Sequence, residues 1–280
     1  MLLGVHVSIA GSIDLAINRA QELKCNTMQI FTRNPRGWKF EAIKKDNIQK
    51  FREKMKEFSI ISPVIHMPYL PNLSSPEDNV YNISVETLIA ELRRSGELGI
   101  PYVVTHLGSH KGTGIESGIK RVANACNKAL SKTNNECMIV LENTSGSKNS
   151  VGSKFEEIKE IIEKIDNKER IGVCLDTCHA FAAGYDMTEN NLKTTLKEFD
   201  SVIGMEKIKV VHLNDSKGER DGRLDRHEHI GMGKIGEGGF KDLLSIKKLS
   251  KLPFILETPI DEKRDDRGNI EKILSLSRIW

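Results

Sequence analysis

Short apolar runs recur along this chain, and between them apolar residues return at the three- and four-residue spacing of a helix face. The runs predict eight strands, at residues 2–7, 27–32, 63–67, 102–107, 138–141, 171–175, 207–213 and 253–256. Ala16, Ile17, Ala20 and Leu23 mark a helix after the first run, with Ser12 placed to cap it. Residues 41–57 predict a charged helix. Val85, Leu88, Ile89 and Leu92 mark the next one, and Val122, Ala125, Ala129 and Leu130 the fourth. Helices over 154–165, 191–199, 240–246 and 270–276 complete the series. Residues 216–239 form a polar, glycine-containing loop that is too long for a plain connector.

Strand and helix thus alternate eight times. This pattern predicts an α/β fold, a (β/α)8 TIM barrel spanning 1–280 as a single domain. A doubly wound sheet is the alternative, but it needs a glycine-rich phosphate loop after the first strand, and none stands there. No linker, short repeat or low-complexity tract divides the chain.

A length of 280 residues suits one such barrel. With 38% apolar and 29% charged residues the composition is globular, and a net charge of +3 argues against gripping DNA by charge alone. Any nucleic-acid surface is therefore local. The five cysteines (25, 126, 137, 174 and 178) are odd in number and form no CxxC pair, so neither a disulfide framework nor a thiolate zinc knuckle is expected. A reducing cytoplasm fits. The chain enters its first strand directly, so neither a signal peptide nor a membrane span is expected.

Candidate chemistry collects at the strand ends. The third strand ends at His66, the fourth at His106 and the fifth at Glu142. The sixth ends at Asp176, with His179 three residues on; the seventh ends at His212 and the eighth at Glu257. The long loop adds Asp225 and His227. In a barrel these ends share one mouth. Parity agrees: Val104 shares a face with His106, Val140 with Glu142, Cys174 with Asp176, Val210 with His212, and Ile255 with Glu257. A single histidine at a strand end is commonly a hydrogen-bonded packing residue. Nine polar groups in one mouth would be costly without a cation. Nitrogen and carboxylate ligands suit zinc, with manganese or iron as alternatives, and nine groups suffice for three ions if one carboxylate bridges. A multi-metal cluster suits phosphodiester hydrolysis. His6 is expected to pack, His110 and His229 to be solvated, and Cys174 and Cys178 to pack.

The mouth also offers a DNA surface: Arg33, Arg36, Trp38 and Lys39; Tyr69 and Leu70; Lys217, Arg220, Arg223 and Arg226. Two other functions compete. A sugar isomerase or epimerase would use Glu142, Asp176, His212 and Glu257, but has little use for the remaining set. A binding module that recognises damaged DNA without cutting would have an eroded ligand set, and here none is missing.

The residues that carry this reading resemble those of the endonuclease IV family of abasic-site DNA repair nucleases, nearly end to end. They include Gly4-Val-His-Val-Ser8, Phe31-Thr-Arg-Asn-Pro-Arg-Gly-Trp38, His66-Met-Pro-Tyr-Leu70, Thr105-His-Leu-Gly108 and Leu141-Glu-Asn-Thr144. Leu175-Asp-Thr-Cys-His-Ala-Phe-Ala-Ala-Gly-Tyr-Asp186, His212-Leu-Asn-Asp-Ser-Lys217, Asp225-Arg-His227 and Leu256-Glu-Thr-Pro259 complete the set. The resemblance implies a trinuclear zinc site: His66, His106 and Glu142 on one ion, Glu142 bridging to a second with Asp176, His212 and Glu257, and His179, Asp225 and His227 on the third. It implies hydrolysis of the phosphodiester 5′ to an abasic site in duplex DNA, leaving a 3′-hydroxyl and a 5′-deoxyribose phosphate, with Glu257 aiding the attacking water. Cleaning of blocked 3′ ends is the companion activity, and the expected enzyme is a monomer. Arg36, Tyr69 and Leu70 match positions that penetrate the duplex. One departure is Gly37, where some members carry a larger polar residue.

Overall fold

The computed structural model describes residues 1–39 and 41–277. Its strands are β1 (Leu2–Val5), β2 (Gln29–Ile30), β3 (Val64–His66), β4 (Tyr102–Thr105), β5 (Met138–Glu142), β6 (Ile171–Asp176), β7 (Ile208–His212), β8 (Asp215–Ser216), β9 (His227–Glu228) and β10 (Pro253–Leu256). Eight of them form one parallel sheet in the order β1-β10-β7-β6-β5-β4-β3-β2. A parallel bridge between His6 and Gln29 joins the two ends, which closes the barrel. β8 and β9 pair antiparallel as a separate ladder.

The helices are α1 (Leu15–Glu22), α2 (Lys45–Glu57), α3 (Asp78–Leu98), α4 (Ile115–Ser131), α5 (Phe155–Glu163), α6 (Thr177–Ala182), α7 (Leu192–Val202), α8 (Gly236–Leu244) and α9 (Asp266–Ser277). Their apolar stripes pack outside the sheet. Ala16, Ile17 and Ala20 are buried on α1, and Val122, Ala125, Ala129 and Leu130 on α4. Among the described residues no helix is long and apolar enough to cross a membrane.

Inside the barrel lies a second, smaller core. Val64, Val104, Val140, Cys174, Val210 and Ile255 are fully buried and touch one another. Each precedes by two residues a polar group at the mouth, so strand alternation stacks a polar ring on an apolar one. Cys174 packs here as expected. Gly4 has a special place in the seam. A Cβ on it would lie 2.1 Å from the Thr27 carbonyl oxygen, so only glycine lets β1 approach the segment leading into β2.

Several boundaries differ from the expectation. Ser12 does not cap α1; its hydroxyl bonds the Asp14 carboxylate instead. α2 starts at Lys45, not at 41, because Lys44 is extended and the Glu41 carbonyl is taken by Arg94. Phe40, at the margin of that segment, lies outside the described residues, as do residues 278–280. α8 begins at Gly236, earlier than the glycine-rich sequence suggests, because Phe240 and Leu243 bury one of its faces. The long polar loop is anchored at its base. The Asp215 carboxylate accepts hydrogen bonds from the backbone N–H groups of Ser216, Gly231, Gly233 and Ile235 at 2.8–3.0 Å.

Candidate metal centre

The polar ring is built from strand ends. His66 closes β3 and is buried. Its Nδ1–H meets the Met67 carbonyl at 2.6 Å, which turns Nε2 toward Glu142 at 3.1 Å. His106 follows β4, with Nε2 3.6 Å from the same Glu142 Oε2. Glu142 ends β5 and has no solvent exposure. Its other oxygen lies 3.1 Å from His212 Nδ1, at the end of β7, and 3.3 Å from His179 Nδ1.

β6 ends at Asp176, and the next six residues form α6 rather than a simple turn. Asp176 caps that helix, accepting from the His179 backbone N–H at 2.7 Å. The helix turns His179 back into the mouth, where its Nδ1 bonds the Asn143 carbonyl at 3.0 Å and its Nε2 faces Asp225 at 3.3 Å. The β8–β9 ladder brings His227 to the same place. Its Nε2 is 3.4 Å from Asp225 and 3.9 Å from Asp176, and its Nδ1 bonds the Glu257 carbonyl at 3.0 Å. Glu257, just past β10, lies 3.3 Å from His212 Nδ1.

All nine residues singled out in the sequence therefore converge, in three groups whose candidate ligand atoms lie within 4.8 Å of one another. They are His66, His106 and Glu142; Glu142, Asp176, His212 and Glu257; and His179, Asp225 and His227. Glu142 belongs to two groups. A further combination, Asp176 with Cys178 and His227, meets the same spacing. Burial pushes the Cys178 thiol up to about 12, however, and its sulfur lies 3.7 Å from the Arg226 carbonyl.

The electrostatics suit cations. Burial alone would raise the Glu142 carboxyl, but His106 and His212 hold it well below its ordinary value. Burial likewise opposes charge on Asp225, yet the His179 hydrogen bond brings it to about 2. His179 and His212 show the converse. Burial pulls them down, and the surrounding acids outweigh it and raise them well above 6.5. Two buried side-chain atoms among the described residues have no hydrogen-bond partner, His227 Nε2 and Thr258 Oγ1. An imidazole nitrogen left bare amid carboxylates fits a metal ligand. The donor set, histidine nitrogens with carboxylate oxygens and no thiolate, fits zinc.

A cavity of about 270 Å³ opens over these groups, walled by His6, Phe31, Tyr69 and Ile260. Tyr69 stands exposed at its edge, 61%, and Leu70, 39% exposed, lines the adjoining cavity that Tyr69 shares. Arg36 is also exposed, and its loop is tied to theirs by the Tyr69 N–H to Pro35 carbonyl bond at 3.1 Å. Arg33 is not a rim residue: it is buried and paired with Glu91 at 2.7 Å. His229 is not solvated either. It is fully buried between Asp261 and Asn269, because the chain turns inward there to bond Ile230 N–H to Asn269. His110 is half-buried and accepts from the N–H groups of Gly112 and Gly114. His6 packs on Phe31 at 4.2 Å between ring centroids, and its Nδ1 also approaches Glu257 at 3.8 Å.

The residues that hold the polar ring in place do not stand out in the sequence. Asn143 bonds the backbone of Asp176 in both directions. Asn214 donates to the Asp176 carboxylate at 2.7 Å and accepts from the Glu257 N–H at 2.9 Å. Gln29 reaches His212 and Glu257. The available signal was an amide side chain beside a strand-end ligand or inside an apolar run.

Comparison with known proteins agrees with this geometry. Residues 17–278 match the family described as xylose isomerase-like TIM barrel, AP endonuclease family 2. The chain is 51% identical to the probable endonuclease 4 of Nitrosopumilus maritimus, over 97% of this chain and 98% of that protein. It is 50% identical to the probable endonuclease 4 of Methanoculleus marisnigri, over 99% of each. Among solved structures, endonuclease IV from Thermus thermophilus superposes with a TM-score of 0.87 at 36% identity, covering 100% of this chain and 98% of that one. Likeness of this extent, over a barrel mouth lined with metal-capable groups, shows that the chain belongs to the endonuclease IV family and is a metal-dependent hydrolase of the nuclease class.

Proposed function

We propose that this enzyme hydrolyses the phosphodiester 5′ to abasic sites in duplex DNA, leaving a 3′-hydroxyl and a 5′-deoxyribose phosphate, and that it also clears blocked 3′ ends. The observation that carries the reading is the sharing of Glu142 between two ligand groups beside a complete third. His66 and His106 would hold the first ion, Asp176, His212 and Glu257 the second, with Glu142 shared by both, and His179, Asp225 and His227 would hold the third. Three zinc ions per chain are the expected complement, with manganese or iron able to replace zinc at some positions. Zinc, when bound, supplies Lewis acidity and makes hydroxide available near neutral pH.

The protein's own residues do the rest. Glu257 is held by Asn214 and Gln29 at the cavity wall, where it orients the attacking water and accepts its proton. His6, Phe31 and the apolar edge restrict water around the scissile phosphate. Tyr69 and Leu70, exposed and tied to the Arg36 loop, enter the base stack while the abasic nucleotide turns out. The five cysteines are free, which suits a reducing cytoplasm. We take the active species to be a monomer.

A sugar isomerase reading accounts for the second group and leaves the third without a use. The deciding experiment is product analysis on a duplex with one abasic site, with elemental analysis of the same sample. The expected result is a single 5′ nick and three metal ions per chain. Interconversion of ketoses without a nick would overturn the nuclease reading, and one tightly held ion would overturn the trinuclear one.

A further inference from the structure

Six of the eight barrel strands deliver a candidate ligand; β1 and β2 deliver none. β2 instead carries Gln29, fully buried and directly beneath the mouth. Its side-chain oxygen lies 2.9 Å from His212 Nε2, and its side-chain nitrogen lies 2.5 Å from Glu257 Oε1 and 3.1 Å from His6 Nδ1. The Glu257 carboxylate only accepts, so the amide –NH2 must face it, which directs the amide oxygen at His212. That oxygen in turn requires a proton on His212 Nε2. The other ring nitrogen, Nδ1, is then the one presented to Glu142, Asp176 and Glu257 at 3.1, 3.7 and 3.3 Å. The second –NH2 hydrogen makes His6 Nδ1 an acceptor. One amide thus sets a tautomer and a carboxylate orientation at once.

We propose that Gln29 is a positioning residue for the second metal group, locking His212 in its Nε2–H tautomer and aiming Glu257. This rests on the metal-centre reading above. Partners of this kind typically change metal affinity by roughly 10–100-fold when removed. Gln29→Leu is close in size and has no hydrogen-bonding group; Gln29→Met is the second variant, should the branched side chain disturb packing. The barrel seam itself is held by backbone contacts, including the Val7 N–H to Gln29 carbonyl bond at 2.8 Å, which neither substitution removes.

The test uses full-length protein, with Zn2+ as the probe. Competition with a chromophoric chelator reads the affinity of each ion, and long-range 1H–15N imidazole spectra of the metal-free protein, taken at a pH high enough to leave His212 neutral, read its tautomer. In the variants we expect one Zn2+ to bind roughly 10–100-fold more weakly while the others hold their affinity, and the Nε2–H signature of His212 to give way to a mixture. Wild-type affinity for every ion would overturn the proposal. So would equal weakening of all ions, which would mark Gln29 as merely structural. A wild-type protein that bound no Zn2+ at all would instead refute the metal-centre reading.

Discussion

Gly4→Ala is the sharpest probe of the link between the barrel seam and the site. The new Cβ would lie 2.1 Å from the Thr27 carbonyl oxygen and 2.6 Å from its carbon, both backbone atoms that cannot swing aside. Bringing the contact to the 3.0 Å limit requires a movement of roughly 0.9 Å between β1 and the segment entering β2. The hydrogen bonds that cross this seam include three made by the Leu3 and Val7 backbone: Leu3 N–H to Asn26 Oδ1 at 2.8 Å, Asn26 N–H to the Leu3 carbonyl at 3.2 Å, and Val7 N–H to the Gln29 carbonyl at 2.8 Å. Lengthening them by that amount takes them past useful range, at about 1 kcal/mol each, so the substitution should cost about 3 kcal/mol. In a domain of this size that lowers Tm by about 6–12 °C. Thermal melts of metal-stripped and metal-loaded protein would measure it. The loaded form should lose metal affinity too, because Gln29 moves with the seam. A melt within a degree of wild type in both forms would refute the reasoning.

Other outcomes follow from the same geometry. One alanine inserted between Thr177 and Cys178 should rotate His179 by about 100° about α6 and abolish cleavage, with loss of one bound ion by elemental analysis. Glu142→Gln should reduce turnover at least about 1,000-fold while DNA affinity, read by fluorescence anisotropy, changes little; retained turnover would count against a bridging role. Asp14 is opposed by burial, but Lys54 at 2.7 Å and Ser12 hold its carboxyl below the ordinary 3.8. A depressed carboxyl contributes stability above its unfolded value and loses it as pH falls through the folded one. Asp14→Asn should therefore cost up to about 1 kcal/mol in urea unfolding at pH 7, reduced because solvent reaches the pair, and the gap should close in acid.

The barrel and its polar ring were legible because both follow from alternation. A strand with Val140 inward must also turn Glu142 inward, and five other strands repeat the relation, so parity assembled the strand-end part of the site. Asp225 and His227 were legible only by motif, since nothing in a polar loop announces that Asp215 will anchor its base. Gln29 was not legible. Its partner Glu257 is 228 residues away, and one amide within an apolar run does not say which way it will face. Arg33 and His229 misled for a related reason: a charged or polar residue in a loop reads as solvated unless its distant partner, Glu91 or Asp261, is known. The short α6 was hidden because six residues are too few to show a helical period.

The order of strands around the barrel has a consequence for synthesis. β1 and β7 do not pair with each other; both wait for β10, which begins at residue 253 and pairs with each. Until that strand leaves the ribosome, β1 has only the β2 side to hold it, and Glu257 has not yet arrived. The wall that gathers the second ligand group is thus the last strand to be made, and pairing residue 2 with residue 253 is strongly non-local. A nascent or truncated chain can display most of the histidines without the arrangement that unites them. The site is therefore expected to assemble only after residue 257 has been added.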